Sequence, residues 1–428
     1  MVFGALRYLQ RRLVWRHLPI LVAGVLAGYL VGSNKPIIRH SLISSIDHPP
    51  HAPDIVSVAV AVAVAEAYGA HQAAPPETFS RAMAEKAPIN STRPVRAAIV
   101  ALVRNSDLFG LRLAIRQIED RFNRKFQYPY IFVNDEPFTE EFKQGVRDLT
   151  RARVDFGLLD EESWAVPEWI DKARYAEVKR TAKYPHGEKD SYRKMCRFQS
   201  GFLHKHPLLA DLEYYWRIEP DVEYFCDIDY DPFLFMRQNG IKYGWNIAMT
   251  EFMDTVATLW NTTMAFVQEN PQMIAKRSMR NWLVDANGAY NGCHFWSNFE
   301  IFDLSLYLGE AYESYFKHLD NAQGFFYERW GDAPIHSIAA SLLLQKGEIH
   351  WFEDIGYKHP GNMHCPRDKA MLSKCICNPD KAYTYRSACQ TRFARVNNMS
   401  KERMVEIMQS SENSYLEPPI PDDAVPKL

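Results

Sequence analysis

The sequence predicts an α/β fold, a parallel sheet flanked by helices. Two short apolar runs, Ala97–Val103 and Tyr130–Val133, have the length and composition of buried strands. Each is followed by a stretch with apolar residues at helical spacing, first Leu108–Phe122 and then 142–149. Because strands that alternate with helices usually pair in parallel, this order predicts a parallel α/β sheet.

The composition is that of a large globular protein and does not suggest nucleic-acid binding. The chain has 428 residues, of which 47% are hydrophobic and 24% charged, enough for one large domain or two modest ones. Proteins that bind nucleic acid usually carry a basic face, whereas the formal net charge of this chain is −2. Nucleic acid is therefore not an expected partner. The seven cysteines have no paired zinc spacing. We expect some to form disulfides, with at least one left unpaired because the count is odd.

The N-terminal region predicts a membrane anchor followed by a stem. Residues 14–32 are apolar apart from Arg16 and His17, and arginines precede them. This pattern predicts a cytosolic tail at 1–13 and a single span at 14–32, with all later residues lumenal. Residues 33–92, rich in Pro, Ala, Ser and His, are expected to be a stem before a folded domain at 93–428. A cleaved signal peptide is the alternative to the anchor.

An aromatic strand that ends in acidic residues is the candidate centre of the site. The run Tyr214–Ile218 leads into Glu219, a proline and Asp221, and the proline should end the strand. Open α/β sheets bind ligands at the carboxyl ends of strands, where Mg²⁺ or Mn²⁺ often bridges a carboxylate and a phosphate. The stretch therefore predicts a metal–diphosphate site, in which Asp221 adds a ligand oxygen or lines the cleft. A solvated acidic turn is the alternative, and Asp227 with Asp229 is a rival pair.

Two further residues are candidates because of where they stand. Arg104 follows the first strand, where such folds meet a nucleotide, although a surface arginine would fit equally well. Glu300 lies among aromatic residues that would desolvate it, as suits an acid, a base or a nucleophile. An ordinary solvent-exposed glutamate at a helix start is the alternative for Glu300.

The helical segments and the last loop supply the other candidates. Ser191–Phe202 is a predicted helix that carries Tyr192 and Cys196 on one face. Asp332 precedes an amphipathic segment that runs to Leu344, so helix capping is its simplest role. His359 lies in a loop after a short strand and gains interest only because metal sites recruit distant imidazoles.

Five blocks of sequence together resemble a known family. In order, they are SYRKMCRF, YYWRIEPDVEYFCDIDYDPF, NGCHFWSNFEIF, RWGDAPIHS and DIGYKHPGNMHCPR. They resemble the fungal type II Golgi α-1,2-mannosyltransferases, glycosyltransferase family 15, over roughly Arg93 to Arg395. The resemblance implies a GT-A-like fold, with a mixed and mostly parallel sheet flanked by helices. It implies Mn²⁺ as cofactor and GDP-mannose as donor. It also implies α-1,2 transfer with retention to mannose-terminated glycans on glycoproteins, at the lumenal face of the Golgi membrane.

The resemblance also assigns roles to residues that stand at the family's motif positions. Glu219 and His359 look like the manganese ligands, and Glu300 looks like the proposed nucleophile. Tyr192 and Asp332 fall on positions associated with the active site. Sequence alone leaves open whether retention uses two inversions through a carboxylate or attack on the face that the leaving group vacates.

Two other classes of function remain possible on sequence grounds. A metal-dependent glycosidase would use the same acids for hydrolysis and would need no nucleotide, so stabilisation by GDP separates it from a transferase. A membrane-anchored mannose-binding protein would catalyse nothing, and the predicted combination of metal ligands and a carboxylate argues against it.

Overall fold

The computed structural model describes residues 94–400. The predicted tail, anchor and stem lie outside the described residues. Within residues 94–400, no helix has both the length and the apolar character needed to cross a bilayer.

The strands are numbered in chain order. They are β1 (Ala97–Leu102), β2 (Tyr130–Asn134), β3 (Val154–Leu158), β4 (Tyr214–Arg217), β5 (Glu223–Tyr224), β6 (Tyr243–Trp245), β7 (Ala248–Thr250), β8 (Cys293–Phe295), β9 (Glu300–Asp303), β10 (Ile349–Trp351), β11 (Tyr357–His359) and β12 (Asn362–His364).

The α-helices of four or more residues are numbered in the same way. They are α1 (Leu108–Ile118), α2 (Glu140–Arg147), α3 (Glu161–Trp164), α4 (Lys172–Thr181), α5 (Asp190–Gly201), α6 (Pro232–Asn239), α7 (Leu259–Glu269), α8 (Arg280–Leu283), α9 (Leu304–Tyr307), α10 (Glu310–Asn321), α11 (Gly324–Tyr327), α12 (Asp332–Leu343), α13 (Lys369–Leu372) and α14 (Ala388–Val396).

The central sheet is mixed and mostly parallel, which confirms the predicted fold class. In the described part of the chain it has seven strands in the order β10-β6-β9-β4-β1-β2-β3. Neighbours pair in parallel except at β9, which runs antiparallel to both β4 and β6. A three-stranded sheet joins β12, β11 and β5, and β7 pairs with β8.

The predicted strands and helices form where apolar side chains are buried in the sheet and in the helix that covers it. Every residue of β2 is buried, and in β1 only the last residue is partly exposed. Helix α1 covers one face through Leu111, Ile115 and Ile118, each with no exposed surface. The predicted segment to Phe122 continues past α1 as a wider π turn at Glu119–Asn123. The order Asp231, proline and, eight residues later, glycine is a sequence signal for a helix, and α6 starts after the N-cap Asp231 and stops at a glycine with φ 64°.

Disulfides brace the loops that follow the sheet. The pairs are Cys226–Cys375, Cys293–Cys389 and Cys365–Cys377, and Cys196 is free and buried. This outcome confirms that some cysteines pair and that one is left over. The first pair ties the chain after β5 to the segment after the β11–β12 hairpin, and β5 itself pairs with β11. The end of β4 and the hairpin are therefore held together by covalent and backbone bonds.

Candidate active site

Arg217 is the centre of a buried polar cluster at the carboxyl end of β4. Its guanidinium donates to Glu219 Oε1, with Nε at 2.8 Å, and to Asp332 Oδ2, with Nη1 at 2.6 Å. A third carboxylate oxygen, Glu300 Oε1, is 3.7 Å from the same Nη1. Only 6% of the Arg217 side chain is exposed. One guanidinium thus faces three carboxylates, and the cluster has a surplus of negative charge before any cation is bound.

Glu300 belongs to the interior of the sheet. It is the first residue of β9, it pairs in register with Arg217 on β4 and Trp245 on β6, and it has no exposed surface. Its Oε2 accepts a hydrogen bond from the Tyr243 hydroxyl at 3.0 Å and lies 3.0 Å from Nδ1 of His336. The alternative of a solvent-exposed glutamate at a helix start is therefore wrong, because the aromatic residues around it form strands and core.

Asp332 opens α12 but does not cap it. The N-cap is Gly331, and the Asp332 carboxylate instead accepts from Arg217 and, at 2.7 Å, from the Ser297 hydroxyl. The capping prediction is wrong because the buried guanidinium is a stronger partner for this carboxylate than the backbone amides. Burial acts to raise the pKa of Asp332, but the charges of Arg217 and His336 and the hydrogen bonds outweigh it and lower the pKa to about 2.

Tyr192 joins the cluster from helix α5. Its ring stacks on His186 with centroids 4.6 Å apart, and the Arg329 guanidinium lies 5.0 Å from its centroid. One turn later, Cys196 is buried beside Asp332, and burial and that carboxylate both raise the pKa of its thiol. The two side chains share one face of α5, as the sequence predicts. Tyr192 is half-buried and borders the cluster on the side of Asp332.

Glu219 and His359, the two predicted metal ligands, are both partly exposed, and the charge of Glu219 acts on the His359 imidazole. Glu219 keeps 24% of its side chain exposed, and the His359 ring at the end of β11 packs edge-on against Trp296, 4.9 Å away. Burial lowers the pKa of His359, and the charge of Glu219 partly opposes that shift. The buried Nδ1 of His359 has no hydrogen-bond partner. A carboxylate oxygen and an unpaired imidazole nitrogen are a donor set that suits a divalent cation.

These side chains do not form a metal site with three protein ligands. In the described residues, the only group of three His, Cys, Asp or Glu with ligand atoms within 4.8 Å is Cys226, Cys375 and Cys377. All three belong to disulfides, so they are not metal ligands. A cation at Glu219 and His359 would need further oxygens from a ligand or from water. Mn²⁺ and Mg²⁺ commonly take these from a substrate phosphate.

Asp221 stands next to this pair, exposed and in the left-handed backbone region with φ 61°. Its N–H donates to the Gly110 carbonyl at 3.1 Å, and its carboxylate lies against the Gly110 backbone. A β-carbon at Gly110 would be 2.6 Å from Asp221 Oδ1, so a larger residue there would displace the Asp221 carboxylate. The charge of Asp221 reaches His359, whose pKa it acts to raise. The solvated-turn alternative therefore describes Asp221 better than Glu219.

The remaining sequence candidates lie apart from the cluster. Arg104 is exposed beyond β1, and its side chain binds Asp107 through Nε at 3.0 Å and Nη2 at 2.9 Å. Of the rival acidic pair, Asp227 makes a surface ion pair with Arg121, and Asp229 makes one with a lysine. The structure thus gathers Glu219, Asp221, His359, Glu300, Asp332 and Tyr192 and leaves Arg104 at the edge of the sheet.

The sequence analysis missed several residues of the cluster. They are Arg217, Tyr243, Ser297, Arg329 and His336. One signal was available, because Arg217 and Glu219 are two residues apart and strand side chains alternate between faces. The others come from distant segments and carry no local signal.

A separate cleft opens at the other end of the sheet. It has a volume of about 730 Å³ and is lined by the start of β1, by residues around Tyr128 and by α6. Its arginines are paired, since Arg96 binds Glu213 and Arg153 binds Asp155. None of the candidate residues lines it.

Comparisons with known proteins identify the family of this chain. The profile of the glycolipid 2-alpha-mannosyltransferase family matches residues 63–398, and the match begins inside the predicted stem. Glycolipid 2-alpha-mannosyltransferase 1 of Candida albicans is 48% identical over 316 residues, which cover 72% of this chain and 73% of that protein. The alpha-1,2 mannosyltransferase KTR1 of Saccharomyces cerevisiae is 46% identical over 313 residues, covering 72% of this chain and 80% of the relative.

Solved structures show the same relationship. Core-mannan synthase A of Aspergillus fumigatus, in its Mn/GDP form, has a TM-score of 0.64 and 43% identity, with 68% of this chain and 80% of that one covered. The mannosyltransferase Ktr4p of Saccharomyces cerevisiae in complex with GDP has a TM-score of 0.68 and 38% identity, covering 73% and 84% of the two chains. The family match and these relatives confirm the resemblance seen in the sequence blocks. The chain belongs to the glycolipid 2-alpha-mannosyltransferase family, glycosyltransferase family 15.

Proposed function

We propose that this protein is a retaining α-1,2-mannosyltransferase with a GT-A-like fold that moves mannose from GDP-mannose to mannose-terminated glycans. The observation that carries the proposal is the Arg217 cluster. It joins a partly exposed carboxylate, Glu219, to Asp332 and Glu300 at the carboxyl end of a central strand. Ligands of open α/β sheets bind at this place. The relatives solved with GDP, one of them with manganese, support the donor and the metal.

Glu219 and His359 are the residues that would hold Mn²⁺ in this proposal. Arg217 binds Oε1 of Glu219, which leaves the other oxygen for a cation, and His359 offers its unpaired Nδ1. Two protein ligands are enough, because such ions are usually completed by substrate phosphates. When bound, Mn²⁺ neutralises charge that develops on the departing diphosphate. Asp221 would line the same edge, and Arg104 would approach the nucleotide only after releasing Asp107.

The burial of Glu300 favours retention by attack on the leaving-group face. Two inversions would require this carboxylate to reach the anomeric carbon, yet it has no exposed surface and lies behind Arg217. In the alternative, the bond from the anomeric carbon to the diphosphate breaks while the acceptor oxygen bonds to that carbon from the same side. The acceptor's proton passes to the departing phosphate oxygen. The surplus negative charge around Arg217 would then stabilise positive charge on the sugar, as preorganised electrostatics do.

Tyr192 and Asp332 would face the acceptor in this arrangement. Asp332 is fixed by Arg217 and Ser297 and stays ionised at neutral pH, because its pKa is about 2. Tyr192 is held by stacking on His186, which fixes the direction of its hydroxyl. Asp332 binds Nη1 of Arg217, whereas Glu219 binds Nε and Nη2, so donor and acceptor groups would meet across the guanidinium.

We also propose that the protein is a single-pass type II protein of the Golgi membrane. Residues 14–32 would form the anchor and residues 93–428 the lumenal catalytic domain. Three disulfides in the described part support an oxidising compartment. The acceptor asparagines Asn261 and Asn398 of two glycosylation sequons are exposed, as modification in the lumen would require.

The test uses the full chain in detergent, GDP-mannose and methyl α-mannoside. We expect an α-1,2-linked disaccharide with Mn²⁺ and none with a chelator. The Glu219→Gln variant should lose at least 100-fold in metal-dependent transfer, on the order of the loss expected for a group that stabilises transition-state charge. Its melting temperature should stay close to wild type, and Asp227→Asn is the matched control with normal transfer. Free mannose as the only product would point to a glycosidase, and full activity in Glu219→Gln would remove that residue from the metal site.

A further inference from the structure

Resting on the proposed function, we propose that His336 is a positioning residue of the mannosyl-transfer site. It fixes one oxygen of Glu300 and so keeps the Arg217 guanidinium available to Glu219 and Asp332. The sequence analysis did not single out this histidine.

Helix α12 brings His336 to the cluster together with Asp332. The two residues are four apart, so they lie on the same face of the helix, one turn from each other. His336 has no exposed surface, and its Nδ1 is 3.0 Å from Glu300 Oε2. Tyr243 reaches the same oxygen from β6, also at 3.0 Å. Two groups from different elements therefore converge on a single oxygen of Glu300.

The contacts of the ring place a proton on the nitrogen that faces Glu300. Glu300 Oε2 accepts the hydrogen bond from Tyr243, and we treat it as the acceptor for the ring as well, which places a proton on Nδ1. The other nitrogen, Nε2, is buried without a hydrogen-bond partner. Aromatic rings enclose the imidazole, with centroid distances of 4.9 Å to Tyr307, 6.3 Å to Phe302 and 6.4 Å to Tyr312. This packing prevents the ring from turning away from Glu300.

The two hydrogen bonds to Oε2 also hold the second oxygen of Glu300, Oε1, in place. Oε1 has no hydrogen bond and stays 3.7 Å from Arg217 Nη1, while the same Nη1 is 2.6 Å from Asp332. The terminal torsion of a glutamate is soft, so without its anchors the carboxylate could turn and bind the guanidinium directly. That bond would compete with those from Arg217 to Asp332 and Glu219. His336 thus keeps the guanidinium on the two carboxylates nearest the substrates.

Two nearly isosteric substitutions separate this role from simple packing. His336→Asn keeps an N–H close to the position of Nδ1, whereas His336→Leu has the same shape without a donor. His204→Leu is the matched control, because His204 is also buried and bound to a carboxylate, Glu313 at 2.9 Å, outside the cluster. GDP release is measured for each full-length variant with methyl α-mannoside and with water as the only acceptor. Thermal unfolding with and without Mn²⁺ and GDP reports folding and donor binding.

We expect kcat to fall about 10- to 100-fold in His336→Leu, by analogy with the loss seen when a residue that orients a metal ligand is removed. The KM for GDP-mannose should change less than threefold, and His336→Asn should recover most of kcat. His204→Leu should lose stability but keep kcat. A His336→Leu enzyme with normal kcat, or equal losses in the Asn and Leu variants, would overturn the inference. Absence of transfer in the wild type, by contrast, would contradict the proposed function itself.

Discussion

Replacing Asp332 by asparagine should make the protein less stable at neutral pH and remove part of its acid sensitivity. The pKa of this carboxyl falls from 3.8 to about 2 on folding, although burial alone would raise it. At 1.36 kcal/mol per pKa unit, the shift corresponds to about 2 kcal/mol of stability. Because the folded pKa is the lower one, this contribution is complete above about pH 4 and is lost as the pH falls towards 2.

The assay is thermal unfolding of wild type and Asp332→Asn between pH 7 and pH 2. We expect the variant to melt about 4 °C lower at pH 7, a shift of the size that about 2 kcal/mol produces in a large domain. The gap should narrow below pH 4 and close near pH 2. Asp227→Asn, which removes a half-exposed carboxylate, should stay close to wild type throughout. A gap that keeps its size, or widens, as the pH falls would refute the assignment of the ionised carboxylate to Arg217.

Two further predictions concern stability away from the carboxylates. Replacing Cys226 and Cys375 by alanine opens a link across 149 residues and should cost about 2–5 kcal/mol. It should also weaken stabilisation by Mn²⁺ and GDP, because the link braces the β11–β12 hairpin, whose first strand ends in the proposed metal ligand His359. Unchanged stabilisation by Mn²⁺ would contradict this. Gly201→Ala puts a β-carbon 1.9 Å from the Phe316 ring and should lower stability by about 1–3 kcal/mol. Gly145→Ala, whose nearest neighbour is a flexible methyl at 3.1 Å, is the helical control and should be neutral or stabilising in chemical unfolding.

Local patterns in the sequence were sufficient for the elements that form by local rules. The apolar runs at Ala97–Leu102 and Tyr130–Asn134 are strands because they are short, apolar and followed by helical spacing. Helix α6 begins and ends where its N-cap aspartate and its glycine predict. Asp332 has a similar local pattern. A proline follows it two positions later, just as a proline directly follows Asp231. Asp332 behaves differently because Arg217, 115 residues away in sequence, competes for its carboxylate.

The cluster itself could be predicted only in part, since its contacts join distant segments. Glu219 and Glu300 were found because each stands at a recognisable pattern and at a motif of the resembled family. His336 and Tyr243 carry no such mark, and only their convergence on one oxygen of Glu300 shows that they belong to the site. A buried histidine in a helix is far more often part of the core than of a site. Sequence alone gave no reason to treat this one differently.

The antiparallel strand explains why the site has its particular composition. In a fully parallel sheet, the carboxyl edge receives only residues that follow strands, as Glu219 follows β4. Because β9 runs antiparallel between β4 and β6, its first residue, Glu300, lies at that same edge, opposite Arg217. A residue in the first position of a central strand is buried on both sides, whereas one after a strand remains partly exposed. The same edge therefore holds one partly exposed carboxylate, Glu219, and one enclosed carboxylate, Glu300, with the guanidinium of Arg217 between them.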